Sequence, residues 1–419
     1  MTALEPSRPR RLGDLDRERA IVYGWIFLAA QLLLLGYIVL RSNGVIGGAS
    51  DHTTTDFMMT YASGTLANAG TPAQVYDLAH QAAQQQQIFG PRKLDVVLTF
   101  YYPPIYLIAC AVLAWLPYLV GFAVWVAATG GLFVAALGRI VRDWRLVVAL
   151  SSFPAAVVTL GFGQNAFLSA ALLSWGMVLI DRRPWLAGFA FGGLAFKPHF
   201  LVLLPVALLA GRRWRAIAGG VASSLLLAAV SAAWFGIETW RSFFTHLAMA
   251  EDLYGGGAFG YWAQTSLFGA VRLLGGGYGV ALAVHAAGMA AAAAATAYGW
   301  WKDASLPVRA TLLIAGTLVC VPVNVTYDLT AAAGAVAFLC RDDVMPRLRR
   351  WEKWLIVAAW LIALVGRGIA EKTGVPLLPL IALGLLAIAI DRLRLESSGR
   401  GFPRPARGAP SPRFRRSIP

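Results

Sequence analysis

The chain has 419 residues, of which 58% are hydrophobic and only 14% charged, and it carries a formal net charge of +15. A soluble domain holds about a quarter charged residues, so this composition excludes an ordinary water-soluble enzyme and points to a polytopic membrane protein. The basic excess does not signal nucleic-acid binding. Lys and Arg fall in short runs between apolar segments and at both ends, as the positive-inside tendency produces.

In chain order, residues 1–20 form a basic segment (Arg8, Arg10, Arg11, Arg17, Arg19) expected to stay cytoplasmic. Residues 21–40 follow as an apolar run with no convincing small-residue cleavage site, and are read as a retained anchor crossing outward. Residues 41–100 are the longest polar stretch. Within it, 57–69 and 73–88 have helix-compatible, mixed polarity and are predicted to lie along the membrane surface, punctuated by Pro72 and Gly90-Pro91.

Apolar periodicity then resumes. A spanning helix needs about 20 apolar residues, and predicted spans cover 102–116, 118–138, 146–160, 166–180, 185–210, 215–236, 278–300, 306–322, 328–340, 351–369 and 376–390. With the first, these make an all-α bundle of about 12 crossings, a single membrane domain over 21–391 with both termini cytoplasmic. The segment 237–277, rich in aromatics and glycines (Trp240, Phe243, Tyr261, Trp262, Gly255, Gly275), reads as a second outer loop dipping into the interface. No internal repeat stands out, against an inverted-repeat transporter. The tail 392–419 is rich in Arg, Pro, Gly and Ser and reads as disordered and cytoplasmic, with anionic headgroups as neighbours.

Twelve simple crossings conflict with charge. They set Arg139–Arg145 and Asp181-Arg182-Arg183 outside and Gly163-Gln164-Asn165 inside, away from the first outer loop. The alternative makes 185–210 a re-entrant pair broken at Lys197-Pro198, which requires 102–138 to cross an odd number of times.

Polar residues at membrane depth are costly and mark function. Asp56 opens the first outer-loop helix, either as an N-cap carboxylate or as a general base beside the membrane. Lys197-Pro198-His199 interrupts an apolar run. Proline frees backbone carbonyls there, and the lysine is either a snorkelling side chain or a point charge for a phosphate. Gly163-Gln164-Asn165 is a tight turn or an amide pair lining a site. Tyr327-Asp328 opens another apolar run as a cap or a site acid, and Tyr101-Tyr102-Pro103-Pro104 fixes a helix start with tyrosines available to a sugar. His246, Glu251 and Asp252 suit ordinary solvated positions. Cys110, Cys320 and Cys340 lack metal-ligand spacing and suit packing roles.

Walker and dinucleotide fingerprints and metal-spaced His/Asp clusters are missing, so no cofactor or metal is predicted and a substrate already activated within the membrane is expected.

Taken together, Asp56-Phe57, Tyr61-x-Ser63-Gly64, Tyr76-Asp77, Tyr102-Pro103-Pro104, Gly163-Gln164, Ala195-Phe196-Lys197-Pro198, Arg212-Arg213-Trp214-Arg215 and Tyr327-Asp328-Leu329 resemble, in order and over about residues 50–340, glycosyltransferase family 87. These are membrane enzymes of the GT-C class that use polyprenyl-phosphate sugars. The resemblance implies an inverting transfer, of mannose by family analogy, from a polyprenyl-phosphate donor to a lipid or glycan hydroxyl at the extracytoplasmic face of the inner membrane. It makes Asp56 the general base and Lys197 the cation for the donor phosphate, with His199 beside it. Tyr101, Tyr102, Gln164, Asn165, Tyr327 and Asp328 become site-lining positions. A lipid-linked sugar transporter and a noncatalytic envelope-assembly scaffold are the rival readings from other classes.

Overall fold

The computed structural model describes residues 16–41, 56–90, 94, 96–255 and 260–399; Asp51, most of the basic N-terminal segment and the tail beyond 399 lie outside them. Among the described residues the chain is helical throughout, with one isolated bridge between Gln264 and Val325 as its only β pairing.

The helices run in order α1 (Arg17–Arg41), α2 (Phe57–Asn68), α3 (Leu78–Phe89), α4 (Pro104–Leu113), α5 (Tyr118–Val141), α6 (Trp144–Ser151), α7 (Pro154–Phe162), α8 (Ala166–Leu179), α9 (Pro184–Gly193), α10 (Leu204–Ala210), α11 (Trp214–Phe235), α12 (Ile237–Gly255), α13 (Leu267–Leu273), α14 (Tyr278–Trp301), α15 (Leu306–Cys320), α16 (Thr330–Leu339), α17 (Arg350–Thr373) and α18 (Pro379–Ser397). Prolines mark many of the starts. Pro104, Pro154, Pro184, Pro307 and Pro379 each stand in a first turn, where the missing N–H has no partner to lose.

Five helices (α1, α5, α11, α14, α17) are long and apolar enough to cross a membrane. A sixth candidate is the pair α6 and α7, bent by 69° at Pro154. The bend releases the carbonyl of Ser152, and the Gln31 amide of α1 donates to it at 2.8 Å. The other apolar legs are shorter, and what they do follows from where their ends lie.

Ion pairs collect the basic corners on one face. Arg17 pairs with Asp143 (3.1 Å) and Asp342, and Arg145 with Glu18 (2.9 Å). Arg213 pairs with Asp181 and Asp303 (3.0 Å each), and Arg309 with Asp181 (2.8 Å). Arg349 meets Asp391 (3.0 Å), and the buried Glu352 and Arg392 pair across α17 and α18. Ser305 donates its backbone N–H to Glu396 at 2.9 Å, joining the second group to the third.

The segment 185–210 therefore begins and ends on the same face, because Asp181 and Arg213 at its two ends touch. It is two short legs, α9 and α10, meeting at Lys197-Pro198, and the single crossing expected there is corrected to the re-entrant alternative. The same geometry recurs in α15 and α16, which leave the basic face at Arg309 and return to Arg341.

The expected span 102–116 is also corrected. Its helix α4 has ten residues, about 15 Å at 1.5 Å per residue, half of a hydrocarbon core of about 30 Å. Apolarity there serves packing against α2. Asn68 donates to the carbonyl of Ala111 (2.9 Å) and Tyr61 to that of Leu116 (2.8 Å). A Cβ on Gly64 would stand 2.0 Å from the Cys110 carbonyl oxygen, so only glycine admits so close an approach. The long leg α5 starts at Tyr118, whose ring is 5.2 Å from Tyr61. Residues 102–138 thus supply one helix long and apolar enough to cross, the odd number that the re-entrant reading needs.

The predicted surface helices form as α2 and α3, but α2 is buried on most faces rather than lying free. The second outer loop is largely helical as α12 and α13, and α12 packs Phe243 and His246 on Tyr76 at 5.8 and 5.9 Å.

The same-face geometry predicts a labelling pattern. In a chain whose three native cysteines are replaced, single cysteines made by Arg182→Cys, Arg215→Cys and Lys302→Cys will react with an impermeant thiol reagent from one side of the membrane, and His80→Cys from the other. Opposite-side labelling of Arg182→Cys and Arg215→Cys would restore a single crossing for 185–210.

Candidate active site

Asp56 precedes α2, and its side chain caps no backbone N–H there. The capping role considered for it is not used. Its Oδ2 instead accepts from the Gln164 amide at 2.6 Å, so the first outer loop and the turn between α7 and α8 meet. Burial raises the Asp56 carboxyl to about 6, while the Gln164 hydrogen bond and the charge of Arg367 act in the opposite direction.

The turn that delivers Gln164 is specified locally. Helix α7 ends at Gly163 with φ 64°, a left-handed cap. A Cβ there would also stand 2.8 Å from Cβ of Phe57 and 2.7 Å from the Phe122 ring, leaving glycine alone able to make the corner. The Trp125 indole donates to the Gly163 carbonyl at 3.0 Å and fixes it. Gln164 Oε1 in turn accepts from the Asn165 backbone N–H at 3.2 Å, which orients the amide so that its NH2 group faces the carboxylate.

Asn165 starts α8 without capping it. Its Oδ1 lies 3.4 Å from the ammonium of Lys197, and its side chain also reaches the phenolic oxygens of Tyr102 and Tyr106. Lys197 stands at the break between α9 and α10 and is buried, so it does not snorkel. Its ammonium forms an ion pair with the buried Asp328 and lies 4.9 Å from the Phe200 ring and 5.5 Å from the Tyr327 ring. Asp328 also accepts from the Val325 N–H at 3.4 Å. The carbonyl of Tyr327 receives the Thr330 hydroxyl at 2.7 Å, and Thr330 meets Thr159 of α7 at 2.9 Å.

The structure thus brings Asp56, Gln164, Asn165, Tyr102, Lys197, Asp328 and Tyr327 into one connected cluster. The separation of Gln164 from Asp56 that twelve simple crossings implied does not occur. One predicted residue stands apart: Tyr101 turns to α12 and packs on His246 at 5.2 Å. His199 sits at the edge of the cluster, edge-on at 5.4 Å to the Phe200 ring that Lys197 also faces, and within reach of the lysine's charge.

Sequence reasoning passed over Tyr106 and Arg367, which belong here. Tyr106 packs tilted on Tyr102 (4.6 Å) and stacks on Phe196 (5.5 Å), and its hydroxyl meets Thr60 at 3.2 Å. Arg367 of α17 lies near enough to Asp56 to act on its ionisation, and stands over the Trp262 ring at 4.7 Å. Arg367 had a signal, a lone charge in an apolar run. Beside the cluster an apolar groove of about 370 Å³ runs between α4, α5, α8, α9 and α11, lined by the buried Tyr106 and Phe196 and by Ile108, Val112, Leu168 and Leu227. Among the described residues no three His, Cys, Asp or Glu side chains converge as ligands for a metal ion.

A carboxyl raised to about 6 and hydrogen-bonded by an amide is suited to taking a proton from a hydroxyl. No curated protein and no solved structure matches the chain. The profile of glycosyltransferase family 87 matches residues 100–326, more than half of its length and the stretch that holds Tyr102, Gln164, Asn165 and Lys197, and the chain belongs to that family.

Proposed function

We propose that the chain is an inverting glycosyltransferase that moves a sugar, mannose by family analogy, from a polyprenyl-phosphate donor to a hydroxyl of a lipid or glycan acceptor at the extracytoplasmic face of the inner membrane. The observation that carries the reading is Asp56. Its carboxylate is free of helix capping, aimed into the cluster, and held by Gln164 at 2.6 Å.

The step balances with protein groups alone. Asp56 takes the proton of the acceptor hydroxyl as that oxygen bonds to the anomeric carbon. The bond from that carbon to the donor phosphate oxygen breaks, its electron pair leaving with the polyprenyl phosphate. Attack opposite to the leaving group inverts the anomeric centre. A general base contributes about 10²–10⁴-fold in such steps and works best with a pKa near the working pH, which favours a carboxyl raised to about 6.

The groove lined by Tyr106 and Phe196 suits a lipid chain, because its lining is apolar and it abuts the cluster. Charge supports the proposed face: the basic corners lie away from Asp56, and Lys and Arg favour the cytoplasmic side.

Lys197 takes a different role in this reading from the one its sequence context implied. Its ammonium already has a carboxylate partner in Asp328, so we assign the pair to positioning. It holds Asn165, and through it Gln164, relative to Asp56.

Asp56→Ala and Asp56→Asn are expected to lower sugar transfer at least a hundredfold, with polyprenyl phosphate release falling in parallel. Turnover at the wild-type rate in both would remove the base. Because the ionised form is the active one, kcat/KM falls as pH drops through about 6. Gln164→Leu removes a hydrogen bond that favours the ionised form, so its acid limb moves to higher pH. An unmoved limb would mean that another group titrates.

The positioning pair is tested by stability. Asp328→Asn leaves a buried ammonium uncompensated, and loss of one partner costs about 3–5 kcal/mol, read as a lower melting temperature in detergent. Lys197→Met combined with Asp328→Leu recovers most of it. Unchanged melting of Asp328→Asn would show that the lysine does not depend on this carboxylate.

A further inference from the structure

The cluster has an electrostatic gap. Transfer from a lipid phosphate brings a permanent anion against Asp56, and a second negative charge develops on the phosphate as it leaves. Asp328 is balanced by Lys197, and that pair is closed, both side chains being buried. Arg272, near the same rim, donates to Tyr261 (3.2 Å) and to the Gly276 carbonyl (3.1 Å). None of these leaves a cation free for an incoming phosphate.

Arg367 differs. It is exposed, and among the described residues it forms no ion pair. It sits about 26 Å along α17 from Arg350 at 1.5 Å per residue, at the end of an apolar helix remote from the basic face. A guanidinium without a carboxylate partner at such a position is available to an anionic ligand. Its neighbours hold it in place. The guanidinium lies 4.7 Å from the Trp262 ring, a contact that restrains the side chain while leaving its N–H donors free. Trp262 is fixed to the active-site segment, since Thr265 N–H donates to the Asn324 carbonyl (2.7 Å) and Thr326 to that of Ala263 (3.2 Å). Helix α17 itself packs on α7 and on the turns holding Trp262 and Asp328. Next to Arg367, Gly368 leaves open space where a side chain would stand.

We infer that Arg367, seated on Trp262, is a phosphate subsite of this active site, binding the phosphate of a lipid substrate through its free guanidinium N–H groups. The inference rests on the proposed reading in taking Asp56 as the reacting end. A guanidinium presents a planar fork that matches phosphate oxygens two at a time. The phosphate is that of a polyprenyl phosphate or of an anionic phospholipid acceptor, and both present the same oxygens.

Equilibrium binding to purified protein in nanodiscs of neutral lipid separates the cases and needs no turnover. The probes are polyprenyl monophosphate with polyprenol as its uncharged counterpart, and phosphatidic acid with diacylglycerol. Arg367→Gln is expected to weaken at least one phosphate probe tenfold or more while leaving its uncharged counterpart unchanged, with Arg367→Lys intermediate. Loss confined to polyprenyl monophosphate assigns the subsite to the donor, and loss confined to phosphatidic acid assigns it to the acceptor. Wild-type binding of both phosphates by Arg367→Gln would overturn the subsite. So would equal loss of phosphate and uncharged probe, or no phosphate preference in the wild type. If the phosphate dependence holds and no sugar transfer is found with any polyprenyl-phosphate sugar, the subsite stands and the transferase proposal falls.

Discussion

A lysine ammonium buried within a bundle of apolar helices must find a carboxylate, and in this chain the partner of Lys197 is 131 residues away, at Asp328. Each stands where a chain that left the basic face turns back toward it, Lys197 between α9 and α10 and Asp328 between α15 and α16. Separating two such charges in a low-dielectric interior costs several kcal/mol, so the pair ties the tips of both returning segments together. Asn165 adds the turn between α7 and α8 to the same point. The depth of the cluster, and hence where Gln164 presents its amide to Asp56, depends on that tie.

Short legs follow from the same constraint. A leg that ends at the cluster need not cross the whole membrane, so helices of 10–15 residues suffice for α9, α15 and α16. Backbone polar groups away from water must still be paired. The turns at the cluster meet that need through Asp328 with Val325 N–H, Thr330 with the Tyr327 carbonyl, and Trp125 with the Gly163 carbonyl. Irregular backbone at depth is thus placed where side chains can complete its hydrogen bonds, and one of them, Asp328, also belongs to the cluster.

Much of this was legible in the residues. Asp56, Gln164, Asn165, Lys197 and Asp328 stand out because polar groups in apolar surroundings are few, and the helical bundle follows from composition. What sequence could not supply was partnership and depth. Apolarity reads the same for a helix facing lipid and for one packed on protein, so residues 102–116 looked like a span although α4 faces α2 through Gly64. A run such as 185–210 has the length of a crossing whether or not it folds back, and only the contact between Arg213 and Asp181 decides it. Lys197 suited a phosphate until its carboxylate partner was located. Arg367 was equally visible as a charge flanked by Gly366 and Gly368, but it lies beyond the ordered motifs and its neighbour Trp262 is more than a hundred residues earlier.

The proposed reaction sets two opposed electrostatic demands on the site. In that reading Asp56 gains proton affinity from burial, and unchecked burial would leave it protonated and unable to accept a proton. Gln164 and Arg367 both favour its ionised form, but they differ in kind. Gln164 is neutral and touches the carboxylate directly, so it stabilises the charge without offering anything to a second anion. Arg367 acts without closing an ion pair on Asp56, which leaves its N–H donors available. Had Arg367 bonded Asp56 directly, the carboxylate would be held well below neutrality as a weak base, and the guanidinium would be lost to a phosphate. An amide in contact and a cation at a distance let one carboxylate remain basic while a second negative charge is brought beside it.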